Sequence, residues 1–149
     1  MQDNFLSYAE QALDYGVMGI LILMSIVTLW LFIERMMFYK SVRIEDYNHR
    51  DNLDMDLTDN ISIISAIGTN APYVGLLGTV TGIMITFYTM GDVGAVDAKK
   101  IMMGLALALK ATAMGLIVAM PAIVAYTIAL RKVEKILTKF DVANDLKES

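Results

Sequence analysis

The chain has 149 residues, of which 56% are hydrophobic and 19% charged, too apolar a mixture for the surface of a water-soluble domain. Its net charge of -4 offers no basic field to nucleic acid, and the lack of cysteine excludes disulfides, thiol nucleophiles and thiolate metal sites. The single histidine, His49, cannot by itself build a bis-histidine haem site or a histidine metal cluster.

Residues 1–15 hold Asp3, Glu10 and Asp14 but no Lys or Arg, unlike the basic start of a signal peptide. Phe5, Leu6, Ala9, Ala12 and Leu13 recur at helical spacing, which predicts a short external amphipathic helix lying on the membrane surface. Residues 16–33, Gly16 to Ile33, carry no charge and suffice to cross most of a hydrocarbon core of about 30 Å, so they form the first transmembrane helix. Tyr15 at one end and Trp30, Phe38 and Tyr39 at the other suit the two interfacial aromatic belts.

Residues 34–60 are polar and bring Asp51, Asp54, Asp56 and Asp59 close together. They read as a helical extension and then a cytoplasmic connection. The acids suit a solvated segment or the capped start of the next helix better than a cation site, with Asp59 or Asn60 as the cap. Ile61 to Met90 and Ile101 to Leu130 follow, nearly free of charge and each about 45 Å long as helix. That exceeds a bilayer core, so both should project beyond it. The linker Gly91 to Lys100 holds two glycines, Asp92 and Asp97, and makes residues 61–130 an antiparallel transmembrane hairpin. Residues 131–149 form a cytoplasmic tail helix, with Val133, Ile136, Leu137 and Phe140 on one stripe and lysines opposite.

Nine basic residues lie in the first connection and the tail, against Lys99 and Lys100 alone in the hairpin linker and none before the first span. The positive-inside rule therefore puts the connection and the tail in the cytoplasm and the amino end outside. Counting about 30 Å inward from Met90 and Ile101 reaches the neighbourhood of Pro72 and Pro121, which mark the cytoplasmic membrane boundary. The fold class is thus an all-α integral membrane protein with three transmembrane helices, the second and third long and extending into the cytoplasm.

Gly75, Gly78 and Gly82 in the second span share a helical face, and Gly104, Ala108, Thr112, Gly115 and Ala119 form a small-residue stripe in the third. Close helix packing explains the glycines and alanines by itself. Thr79 and Thr112 each lie about 16 Å from the outer end of their spans, at one depth. Each alone suits a hydroxyl bonded to its own helix, whereas the pair suits a polar-lined passage. Lys110 is the single ionisable Asp, Glu, Lys or Arg within the three spans, at about 14 Å depth, and needs a partner. Since no span contains Asp or Glu, that carboxylate, or any proton carrier, is expected from another polypeptide; otherwise Lys110 is neutral or bonds carbonyls and water. It lies about 200° around the helix from Thr112, which turns it toward a neighbouring subunit rather than a central pore. The methionines read as flexible packing. No phosphate loop or nucleophile–base set appears, so the chain reads as a non-enzyme with no cofactor and no metal.

Two segments, NAPYVGLLGTVTGIM (Asn70 to Met84) and LALALKATAMGLIVAMPAIVAY (Leu105 to Tyr126), resemble the signature hairpin of the ExbB/TolQ/MotA proton-channel family, most closely its ExbB branch in a short form. The resemblance covers roughly residues 60–135. It implies a bacterial inner-membrane motor subunit, a homopentamer caging the single-span helices of an ExbD-like partner and energising TonB with the proton motive force. It further implies that Thr79 and Thr112 line the cavity facing the partner's membrane aspartate. Leu107 stands where many relatives carry a membrane Glu, and Lys110 where many carry an apolar residue. A TolQ-like envelope-maintenance subunit and a non-conducting membrane scaffold are the alternatives.

Overall fold

The computed structural model of the chain describes residues 2–91 and 98–148, and every regular element among them is helical. Helix α1 runs Gln2–Ser41, a 3-10 turn spans Ile44–Asp46, α2 is Arg50–Thr58, α3 is Ile61–Gly91 and α4 is Ala98–Glu148. Three of these, α1, α3 and α4, are long and apolar enough to cross a membrane. Their outward faces carry Ile22, Leu23, Ile26, Leu29, Leu77, Met84, Phe87, Met102, Leu109 and Ile117, all exposed, an exterior suited to lipid or to further apolar helices rather than to water. The hairpin linker, including Asp92 and Asp97, lies outside the described residues.

The expected surface helix and first span are one continuous helix. Gly16 and Gly19 interrupt the sequence pattern without breaking the helix, because glycine lowers helix propensity by only about 1 kcal/mol and the apolar face continues across them. Leu13 packs on the same core cluster as Val17 and Leu21, with Ala71, Ala111, Val118 and Ala122 opposite. The tail is likewise no separate element, for α4 runs unbroken through Pro121, as α3 runs through Pro72.

At the end carrying most of the basic residues the three long helices close over α2. Leu53 and Leu57 of this short amphipathic helix are fully buried against Tyr39, Ile61, Ala129, Val133, Leu137 and Phe140, so the apolar stripe of the tail does face a core. Burying each leucine contributes about 1.5–3 kcal/mol. The carbonyls at the end of α2 are satisfied from α1: Arg35 donates to Asp56 O at 3.0 Å and Tyr39 to Leu57 O at 2.9 Å. Arg35 is only 5% exposed, paired with Glu34 and stacked over the Phe38 ring at 4.8 Å. The turn into α3 is made at Asp59 and Asn60, where Asp59 O accepts from Ile61 N at 2.8 Å. Asn60 takes φ of 60°, the left-handed region that asparagine tolerates, and its carbonyl accepts from Ile63 N at 3.3 Å.

Candidate functional site in the α3–α4 seam

The small residues of α3 and α4 set how closely the two helices approach. A Cβ on Gly75 would lie 2.6 Å from Ala111 O and 3.1 Å from the Cα atoms of Thr112 and Gly115, and one on Gly115 would lie 2.8 Å from Ala71 O. Backbone meets backbone here, which no larger residue permits. Gly82 faces the Ala108 methyl, which would lie 3.1 Å from a Cβ there, while Gly104 makes room for Thr86. Gly78 serves two neighbours, since its missing side chain is filled by Ala111 of α4 and Val17 of α1. Gly68, absent from the sequence-derived set, does the same work one turn above Pro72, against Ile123. Its signal was available: it precedes Gly75 by seven residues and so continues that face.

Thr79 and Thr112 meet across the seam. Their hydroxyls are hydrogen-bonded to each other, and Thr79 Oγ1 also lies 2.8 Å from Ala108 O and 3.3 Å from its own Gly75 O. Thr79 is 8% exposed, whereas Thr112 is half-buried at the edge of the seam. The equal depth read by counting thus becomes a direct contact. Two further buried threonines escaped sequence reasoning. Thr86 donates to Gly82 O at 2.8 Å, and Thr28 in α1 buries its hydroxyl beside Val118 and Pro121 of α4.

Lys110 requires a correction. Its Nζ lies 3.6 Å from Asp14 Oδ2, so the carboxylate comes from this chain and not from another polypeptide. Counting acids only inside the spans missed Asp14, because the amino-terminal residues were expected to lie flat on the membrane. Continuous α1 instead runs alongside α4 and carries Asp14 to Lys110, on the side of α4 away from Thr112. Both side chains keep an open side, 51% and 36% exposed. Asp14 also borders a cavity of about 260 Å³ whose walls include Gly78, Gly82, Gly104 and Leu107.

These features can pack helices tightly and present a hydroxyl pair in an apolar seam, with the chain's own intramembrane charges neutralised elsewhere. Comparison with known proteins converges on one family. The profile of the MotA/TolQ/ExbB proton channel family matches residues 32–142. A biopolymer transport protein ExbB of Aquifex aeolicus is 50% identical over 86% of this chain and 87% of its own length. One from Helicobacter pylori strain J99 is 51% identical over 87% and 89%, and an ExbB-like 2 protein of Helicobacter pylori strain 26695 is 47% identical over 89% of both chains.

Proposed function

The chain belongs to the MotA/TolQ/ExbB proton channel family, and from that premise we propose that it is the ExbB-type subunit of an inner-membrane motor. In this reading five copies enclose a single-span, ExbD-like partner whose membrane aspartate carries protons past Thr79 and Thr112, and the resulting motion energises TonB-dependent transport at the outer membrane. The amino end lies in the periplasm and the carboxyl end in the cytoplasm. An ExbB role is preferred over a TolQ role because relatives that match over nearly their full lengths bear the ExbB name.

The observation that carries the proposal is the hydroxyl pair in the α3–α4 seam. Neither helix has Asp or Glu among its membrane residues, and Asp14 is engaged with Lys110, so a proton-exchanging group at the pair has to be brought by a second polypeptide. Gaining or losing a proton there changes the desolvation cost of a carboxyl group by several kcal/mol, enough to bias which subunit it docks against. The asymmetry of nine basic residues against two supports the orientation.

The test is proton flux into liposomes holding the chain with its single-span partner. Thr79→Val or Thr112→Val should abolish flux and energised transport while the assembly still purifies intact. Undiminished flux in either variant counts against the hydroxyl pair. A native assembly that carries no flux leaves the scaffold reading, and co-purification with TolR and TolA in place of ExbD and TonB leaves the TolQ reading.

A further inference from the structure

The hydrogen bonds of the seam have a direction, and the direction selects a protonation state. A threonine hydroxyl has one hydrogen to give and two lone pairs to accept with. In a helix it ordinarily gives that hydrogen to the carbonyl four residues back, as Thr69, Thr81, Thr86, Thr89 and Thr127 do in this chain. Thr112 departs from the pattern. Its carbonyl four residues back is Ala108 O, and that acceptor is taken by Thr79 from the neighbouring helix at 2.8 Å.

An oxygen–oxygen approach of 2.8 Å to a carbonyl needs a hydrogen between the atoms, and only Thr79 can supply it. With its one hydrogen committed there, the Thr79 oxygen faces Thr112 as an acceptor, so the hydrogen of the Thr79–Thr112 contact belongs to Thr112. Both hydroxyl hydrogens are therefore spent inside the seam. What Thr112 offers on its open, half-buried side is lone pairs alone.

We infer that Thr112, held by Thr79, is an acceptor-only site that takes a partner's carboxyl group in its protonated, uncharged form and rejects the carboxylate. This rests on the reading above that a partner's acid docks at the pair. A protonated acid donates to Thr112 and extends a chain of like-directed bonds, acid to Thr112 to Thr79 to Ala108 O, each polarising the next. A carboxylate meets lone pairs. To serve it, Thr112 has to turn its hydrogen outward and give up its bond to Thr79. No fixed cation compensates on this face, since α3 carries no Asp, Glu, Lys or Arg and Lys110 points to Asp14 of α1. Docking is thus coupled to protonation by the two hydroxyls themselves, with the proton remaining on the acid while it is bound.

The probe is a single-span polyleucine helix with one mid-span aspartate, its carboxyl carbon isotopically labelled, reconstituted with the full-length chain in vesicles. The infrared acid and carboxylate bands are read at the pH where the probe alone is half ionised. The native chain and Thr79→Ser, which keeps the donor, should raise the neutral-to-ionised ratio by about tenfold, the scale of one well-formed hydrogen bond. Thr112→Val removes the accepting oxygen itself and should lose most of that gain, although Asp14 and Lys110 are unchanged. A native chain that shifts the probe toward carboxylate overturns the inference, as does Thr112→Val with the full native gain. Energy transfer between labelled probe and chain separates the two levels of failure. If the aspartate helix associates no better than an all-leucine helix, the docking of an acid at the pair is itself wrong, and the directional relay falls with it.

Discussion

Gly75→Ala should open the α3–α4 seam and disable the hydroxyl pair without substituting either threonine. The added methyl would sit 2.6 Å from Ala111 O, a backbone atom that cannot rotate aside, and 3.1 Å from the Cα atoms of Thr112 and Gly115. Restoring ordinary contact requires the helices to part by roughly 0.7 Å, an overpacking strain of about 1–3 kcal/mol. The same displacement stretches the 2.8 Å bond from Thr79 to Ala108 O to about 3.5 Å, where hydrogen bonding has largely failed, at a further cost of about 1 kcal/mol. A loss of about 2–4 kcal/mol is therefore expected, together with loss of proton flux. Gly19→Ala is the control, because nothing lies within 4 Å of a Cβ there and removing a mid-helix glycine should stabilise by about 0.5–1 kcal/mol. Unfolding of the purified protein in mixed micelles, followed by circular dichroism against denaturing detergent, measures both. Equal stability of Gly75→Ala and the native chain, or equal damage from the two substitutions, would refute the backbone-to-backbone account of the seam.

Three other outcomes follow from the packing and the charges. Asp14→Asn and Lys110→Met should each destabilise the protein and the double variant should recover part of the loss, with a coupling of about 1 kcal/mol because both groups are partly exposed; strict additivity in the same detergent titration would show the pair to be idle. Leu57→Ala should cost about 2–5 kcal/mol and loosen α2 from α4, read as faster tryptic cleavage at Arg50, whereas Leu57→Met should cost under about 1.5; equal cleavage in both would refute the buried position of Leu57. The hydrogen bond that Tyr47 donates to Asp56 raises its phenol above the ordinary range. That group's stabilisation is intact below about pH 10 and fades as the pH climbs through the raised folded value, so Tyr47→Phe should remove a late step from the phenolate absorbance titration; an unchanged high-pH limb would contradict the bond.

The three spans and the family were legible in the sequence because each rests on local or summed properties. Eighteen uncharged residues cross a membrane whatever they pack against, and basic residues sort to one side by count. Glycine and alanine at helical spacing named the α3 and α4 faces, and residue counting put Thr79 and Thr112 at one depth, since rise per residue is constant in a helix. The rest depended on which faces meet. Asp14 reaches Lys110 because α1 continues past its glycines and leans on α4, a juxtaposition across nearly a hundred residues that no window of sequence contains. Tyr39 reads as part of an aromatic belt, and Arg35 as one basic residue of the connection, until α2 folds back and offers them its last carbonyls. The bond from Thr112 to Thr79 is tertiary in the same sense: its own helix supplies an ordinary acceptor, and only the close approach allowed by Gly75 and Gly115 lets Thr79 take that acceptor away.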